Sequence, residues 1–116
     1  MTVEYVQNSP AFGMRTVQQV TWANMPLDEV GLALPMAQYS DRSVQVTGTF
    51  GGATVTIEGS NDGINYFTLV DPHGNNLSFV TSRLEAILEM VLWIRPKVTG
   101  GDGTTDLTVI MGVKVV

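Results

Sequence analysis

The side chains in this sequence that could do acid–base or metal chemistry are few and scattered. One histidine, His73, stands in the run Asp71-Pro72-His73-Gly74-Asn75-Asn76. There is no second histidine and no cysteine to complete a zinc ligand set. A serine nucleophile would need His73, a carboxylate and a Gly-x-Ser-x-Gly elbow, and the sequence has no such elbow. His73 therefore reads as a loop residue. Asp62 and Asp71 flank a predicted strand. Paired-carboxylate chemistry needs two acids about 5 to 9 Å apart, and nothing in this spacing brings them together. Within Asn61-Asp62-Gly63, Asp62 reads as a turn former. Asp102 and Asp106 bracket a glycine loop but lack the regular acid spacing of a calcium hand. Gly100-Gly101-Asp102-Gly103 lacks the Lys-Ser/Thr pair of a phosphate-cradling loop and leads into a strand pattern instead of a helix. Asn76-Leu77-Ser78 matches a glycosylation sequon, but no secretion signal accompanies it. The reading is of a noncatalytic chain that needs no metal and no cofactor.

The aromatic residues carry more information. Trp22, Tyr39, Tyr66, Phe67 and Trp93 could form a binding platform. In Val91 to Val98, Leu92, Ile94, Pro96 and Val98 fall on one face of an extended segment. Val91, Trp93, Arg95 and Lys97 fall on the other. Trp93 is thus expected on the more polar face, either at a subunit or ligand surface or beneath a loop of its own chain. Val3, Tyr5, Val6, Phe12 and Met14 make the N-terminal segment apolar, and Asn8-Ser9-Pro10 interrupts it. Two expectations follow for residues 1–14: an arm that orders against another subunit, or a segment that covers the domain's own core. The expected subunit contacts are Val3, Tyr5, Phe12, Trp93 and Arg95.

Composition bounds these readings. A chain of 116 residues with 44% hydrophobic content is one domain with a modest core. Eleven acidic and six basic residues give a net charge of -5, which disfavours a nucleic-acid surface. The absence of cysteine excludes disulfide staples. The start of the sequence lacks the basic and apolar regions of a signal peptide. No apolar run approaches the roughly 20 residues of a membrane helix. Synthesis in the cytoplasm without a membrane partner is expected.

The elements that must position these groups are strands. Val44, Val46 and Phe50 alternate with Gln45, Thr47 and Thr49. Ala53, Val55 and Ile57 alternate with Thr54, Thr56 and Glu58. Period-two patterning predicts two half-buried strands, and Gly51-Gly52 predicts a hairpin loop between them. Asp62-Gly63 predicts a second tight turn before a strand over residues 66–70. Further strands are predicted over 16–22, 30–34, 77–81, 91–98 and 107–115. In the segment 30–34, Val30, Leu32 and Leu34 form the apolar face. Pro35 and Pro96 belong where no ladder donor is needed. Ser82 and Glu85 have capping-box spacing, and Leu84, Leu88 and Val91 lie near one helical face, so a short helix is predicted there. Gly51, Gly52, Asp62, Gly63, Gly100, Gly101 and Gly103 are the turn formers. The expected fold is all-β: an antiparallel sandwich, with jelly-roll or barrel closure as alternatives, at most one short helix, and a single domain over 1–116.

The phrase Glu58-Gly59-Ser60-Asn61-Asp62-Gly63-Ile64-Asn65-Tyr66, followed by Phe67-Thr68-Leu69, resembles a strand-turn-strand of small β-sandwich proteins of tailed bacteriophages. Gln45 to Val55, Ile94-Arg95-Pro96 and Thr99 to Thr104 extend the resemblance over residues 43–111. It implies a virion component, such as a decoration or cement protein on the capsid surface. The implied partners are the major capsid protein and further copies of the chain, with a trimer at a three-fold position. The alternatives are a carbohydrate-binding module of a tail or fibre, stacking a sugar on Trp22, Tyr66 or Trp93, and a head–tail connector or tail protein.

Overall fold

Alternation of apolar and polar residues sets the strands of this chain, and non-local pairing sets their partners. The computed structural model describes residues 2–9 and 16–115, and these form twelve strands and no helix. They are β1 (Thr2–Val3), β2 (Tyr5–Asn8), β3 (Val17–Met25), β4 (Val30–Gly31), β5 (Leu34–Pro35) and β6 (Tyr39–Thr49). β7 (Thr54–Ser60), β8 (Phe67–Thr68), β9 (Ser78–Phe79), β10 (Arg83–Ala86), β11 (Trp93–Thr99) and β12 (Asp106–Val115) follow. A five-stranded sheet has the order β10-β6-β12-β3-β2. A seven-stranded sheet has the order β1-β4-β11-β7-β8, with β5 also on β11 and β9 also on β7. Every pairing is antiparallel except that of β1 with β4. The two sheets pack as a sandwich and do not close into a barrel.

The core lies between them. From the five-stranded sheet, Val20, Trp22, Val44, Val46, Val109 and Met111 are buried; from the other, Val55, Ile57, Ile94 and Val98. Each large side chain so buried contributes roughly 1.5 to 3 kcal/mol before ordering costs. β12 is the central strand, and its alternation is the cleanest in the sequence: Leu107, Val109, Met111 and Val113 point inward. Pro96 lies between the partners of Ile94 and Lys97 on β5 and β4, where β11 has no registered neighbour on that side, so its missing N–H costs no ladder bond.

Several expectations are corrected. Gly51 and Gly52 do form a tight turn, with φ of 58° and 86° and Ala53 N donating to Phe50 O at 2.9 Å. The strands they join are not a hairpin. β6 pairs with β10 and β12, whereas β7 pairs with β11, β8 and β9. The turn carries the chain from one sheet to the other. The predicted helix after Ser82 is the edge strand β10, registered on β6 from Arg83 opposite Val46 to Ala86 opposite Ser43. Pairing along an open sheet edge outweighs a weak local helix pattern. In the segment 30–34, Leu34 is buried as expected, but Gly31 is buried in place of Leu32, which is 43% exposed. Gly31 is buried because Pro96 and the Trp22 ring occupy the space its side chain would need. The strand predicted over 66–70 is registered on β7 at Phe67 and Thr68, Leu69 N adds a bond to Ile57 O at 2.9 Å, and an isolated bridge joins Val70 to Asn76.

Candidate functional site

The outer face of the seven-stranded sheet carries the side chains that the sequence placed on the polar side of β11. Arg95 stands opposite Glu58, and Trp93 stands opposite Ser60. Arg95 Nε donates to Glu58 Oε1 at 3.0 Å. The guanidinium also lies 3.7 Å over the Tyr66 ring. An ion pair with both side chains still in contact with solvent contributes about 0.2 to 1 kcal/mol, and an exposed cation–π contact about 0.5 to 1 kcal/mol. Together they fix Arg95 across the start of the turn that follows β7.

That turn is tightly tied. Asp62 Oδ1 accepts from Ile64 N and Asn65 N at 2.8 Å each and from the buried Ser60 hydroxyl at 2.8 Å, and Asp62 Oδ2 accepts from Asn65 Nδ2. Ser60 Oγ in turn accepts from Gly63 N at 2.9 Å. The Asn65 amide, with Ile64 N and the two side-chain donors behind it, holds the Asp62 carboxyl well below the usual carboxylate range. Gly63 has φ 74°, and a β-carbon there would sit 3.8 Å from the Trp93 ring. The turn thus lies over the indole, which is why Trp93 is only partly exposed.

Beside the turn is an open groove of about 410 Å³, lined by Gly59, Asn61, Phe67, Leu69, Glu89 and Val91 among others. Its far wall is the segment 88–92. That segment is held in place by Leu88 N donating to Val70 O, Leu92 N donating to Ser60 O, and Asn61 Oδ1 accepting from Leu92 N. The Glu89 carboxylate accepts from Val70 N at 2.9 Å. The Glu89 carbonyl accepts from Arg42 Nε at 3.0 Å and from Arg42 Nη2. Burial pulls the Arg42 guanidinium below its ordinary value, and nearby Asp41 and Glu89 act against that shift. Arg42 therefore ties this rim to the five-stranded sheet. Phe67, which lines the groove, is 70% exposed; Ile64 on the turn and Met90 on the 88–92 segment, which do not line it, are 80% and 75% exposed. Leu88 and Leu92, on the same segment as Met90, are also exposed. This is an apolar surface with polar atoms already engaged at its rim. It can bury apolar side chains of a partner, and its carboxylates are occupied in holding backbone.

The remaining residues singled out in the sequence are dispersed. Val3 and Tyr5 pack against the chain's own core, and the Tyr5 ring meets Trp22 edge-on with centroids 5.5 Å apart. Phe12 lies outside the described residues. Trp22 is fully buried, with Nε1 donating to Leu32 O at 3.0 Å. Tyr39 is buried, and its hydroxyl accepts from Gln38 Nε2 and Gln7 Nε2. Of the five aromatic residues proposed as a platform, Phe67 alone is mostly exposed. His73 is an exposed loop residue. Asp71 is buried, and Asn75 N, then His73 N, hold its carboxyl below the usual range. Asp62 and Asp71 each serve their own turn. Asp102 accepts from Thr104 Oγ1 and Thr104 N, and those bonds lower its pKa in the same way. Among the turn formers, Gly51, Gly52, Gly63, Gly100 and Gly101 have positive φ and Gly103 does not. Among the described residues no three His, Cys, Asp or Glu gather as a metal site. Sequence reading missed Met90 and the 88–92 rim. The signal was there in the run Leu88-Glu89-Met90-Val91-Leu92, whose apolar residues outnumber the places one strand face can bury.

No protein-family model and no curated protein matches the chain. The chain shares its fold with a prophage-derived protein. The crystal structure of the SPBc2 prophage-derived protein YomS superposes with a TM-score of 0.64, over 88% of this chain and 97% of that one, at 10% sequence identity. The likeness is one of fold, and it runs through nearly the whole of both molecules.

Proposed function

We propose that this chain is a noncatalytic structural component of a bacteriophage particle, decorating the capsid surface and stabilising it by bridging subunits of the major capsid protein. The observation that carries this reading is the fold shared almost end to end with a prophage-derived protein. The phage-like phrase from Glu58 to Leu69 supports it, because that phrase forms the turn and one wall of the groove described above. The groove supplies a means of attachment. Phe67 and Met90 stand exposed on a frame fixed by Asp62, Glu89 and Arg42, so docking would order few additional side chains. A bridge of this kind resists outward pressure by buried area on two neighbours. The sugar-stacking alternative finds less support, since Trp22 is enclosed, Tyr66 lies under Arg95 and Trp93 lies under its own turn.

The test is composition and attachment. Purified particles of the phage that encodes this chain should contain it in a fixed ratio to the major capsid protein, measured by quantitative mass spectrometry. Particles stripped of it should rebind the folded protein and not its Phe67→Ala variant. A chain absent from purified particles overturns the proposal.

A further inference from the structure

The five-stranded sheet ends at β10, which has β6 on one side and, among the described residues, no strand on the other. The hydrogen-bond pattern fixes what that edge offers. Ile87 N donates to Arg42 O. Hydrogen-bonded pairs alternate along an antiparallel ladder, so Glu85 with Val44 and Arg83 with Val46 are such pairs too. The N–H and C=O groups of Leu84 and Ala86 therefore point away from β6, out of the open edge. Leu84 is 62% exposed, and Arg83 and Ala86 are also exposed. Arg83 and Glu85 share one face of the strand, with Arg83 Nη2 2.7 Å from Glu85 Oε2. The Arg83 guanidinium also lies 5.0 Å over the Phe79 ring. None of these groups belongs to the attachment groove.

We infer that the β10 edge pairs with the same edge of a second copy, antiparallel, with Leu84 on the two-fold axis. Backbone and charge select this register independently. Leu84 opposite the partner's Leu84 is a hydrogen-bonded pair, which uses the outward N–H and C=O of both copies. A shift by one residue would set these outward groups against residues whose own groups are spent on β6. Charge then decides among the registers the backbone allows. With Leu84 on the axis, Arg83 stands opposite the partner's Glu85, and Glu85 opposite the partner's Arg83. These are non-hydrogen-bonded positions, where side chains approach most closely. Moving the axis by one residue along the strand, a shift of two in register, sets Glu85 against Glu85 in one direction and Arg83 against Arg83 in the other. Charges on an edge strand ordinarily keep other chains away, and a single sign would do so here. An Arg and a Glu placed symmetrically about Leu84 attract a second copy in one register and repel it in the two beside it. Val80 and Leu88, 65% and 55% exposed, flank the strand at equal spacing from Leu84. The axis thus carries Val80 of each copy to the end where the partner's Leu88 lies. A strand edge this short hides less area than a standard interface. Its affinity comes from main-chain hydrogen bonds and its selectivity from alternate side chains, as in strand addition to a sheet edge. The pairing is accordingly transient in free solution and favoured where copies are held close together. It does not depend on the virion reading.

Disulfide cross-linking tests it, because the sequence has no cysteine and one introduced thiol reports this contact alone. Hydrogen-bonded partners on antiparallel strands have Cα atoms about 5.5 Å apart, within disulfide reach. Under copper–phenanthroline oxidation, Leu84→Cys should form a covalent dimer about tenfold faster or more than Ile64→Cys, although Ile64, on its turn, is the more exposed at 80%. Adding Arg83→Glu to Leu84→Cys sets like charges opposite each other and should bring the rate down to that of Ile64→Cys. Adding Glu85→Arg as well reverses both signs, restores the opposite pairs and should restore the rate. Far-ultraviolet circular dichroism checks that each form is folded, and Glu85→Arg serves as the single charge change if Arg83→Glu fails to fold. A Leu84→Cys rate no greater than that of Ile64→Cys, a single charge change that leaves cross-linking undiminished, or a swapped pair as slow as the single change overturns the inference.

Discussion

Replacing Tyr5 by alanine separates the two expectations for the N-terminal segment. Tyr5 begins β2, is paired with Trp22 on β3, and meets that indole edge-on at 5.5 Å. It is partly buried against the core. Losing about half the burial of a large side chain costs roughly 1 to 1.5 kcal/mol. The edge-to-face contact adds about 0.5 to 1.5 kcal/mol. The expected loss is therefore about 1.5 to 3 kcal/mol, out of the roughly 6 to 17 kcal/mol usual for a domain of this length. Each kcal/mol moves the melting temperature of such a domain by about 3 to 5 °C, so Tyr5→Ala should melt about 5 to 15 °C lower. Thermal unfolding followed by circular dichroism measures this directly, and Trp22 emission should shift in the same transition. Tyr5→Phe keeps the ring and should stay close to the wild type. A Tyr5→Ala protein that melts as the wild type does, yet no longer attaches to particles, would refute the reasoning and favour an arm that serves a partner.

Three other outcomes are expected. Gly31→Ala forces a β-carbon to 2.6 Å from Pro96 Cγ and 2.8 Å from Trp22 Cδ1, an overpacking that costs about 1 to 3 kcal/mol; an unchanged melt would contradict the packing described. Phe67→Ala and Met90→Ser alter exposed positions and should change stability by no more than about 0.5 kcal/mol, while reducing attachment to particles; a fall in melting temperature without a loss of attachment would reverse that assignment. The Asp62 carboxyl ionises more readily in the folded chain than in the unfolded one, so the unfolded state takes up protons first as the pH falls. Its contribution is complete above the ordinary value of 3.8 and is lost as the pH falls below it toward the folded value. Asp62→Asn should accordingly be less stable than the wild type at pH 7, with the gap narrowing below about pH 4; a gap that does not vary between pH 2 and pH 7 would sink this account.

Much of the fold was legible because it rests on period-two alternation. The buried faces of β6, β7, β11 and β12 follow the sequence pattern residue by residue, and Trp93 and Arg95 share the outer face as expected. Pairing was less legible. Alternation says which residues of a strand turn inward but not which strand lies beside it, so Gly51-Gly52 looked like a hairpin loop while joining two sheets. The segment from Ser82 to Val91 looked helical because its local spacing allowed a helix; the free edge of β6, distant in sequence, made it a strand. Leu32 and Gly31 exchanged places for a similar reason: the Pro96 ring and Trp22 leave room for no side chain at that point. The groove was least legible of all. Its walls come from residues 59–69 and 88–92, and only pairing through Ser60, Val70 and Asn61 brings them together.

Cryo-electron reconstruction of the intact particle tests the central proposal most directly. The account predicts density for this two-sheet domain on the outer capsid surface, spanning neighbouring major capsid subunits, with Phe67 and Met90 turned toward the shell. Density for the domain only in the tail, or a particle complete without it, would contradict that account.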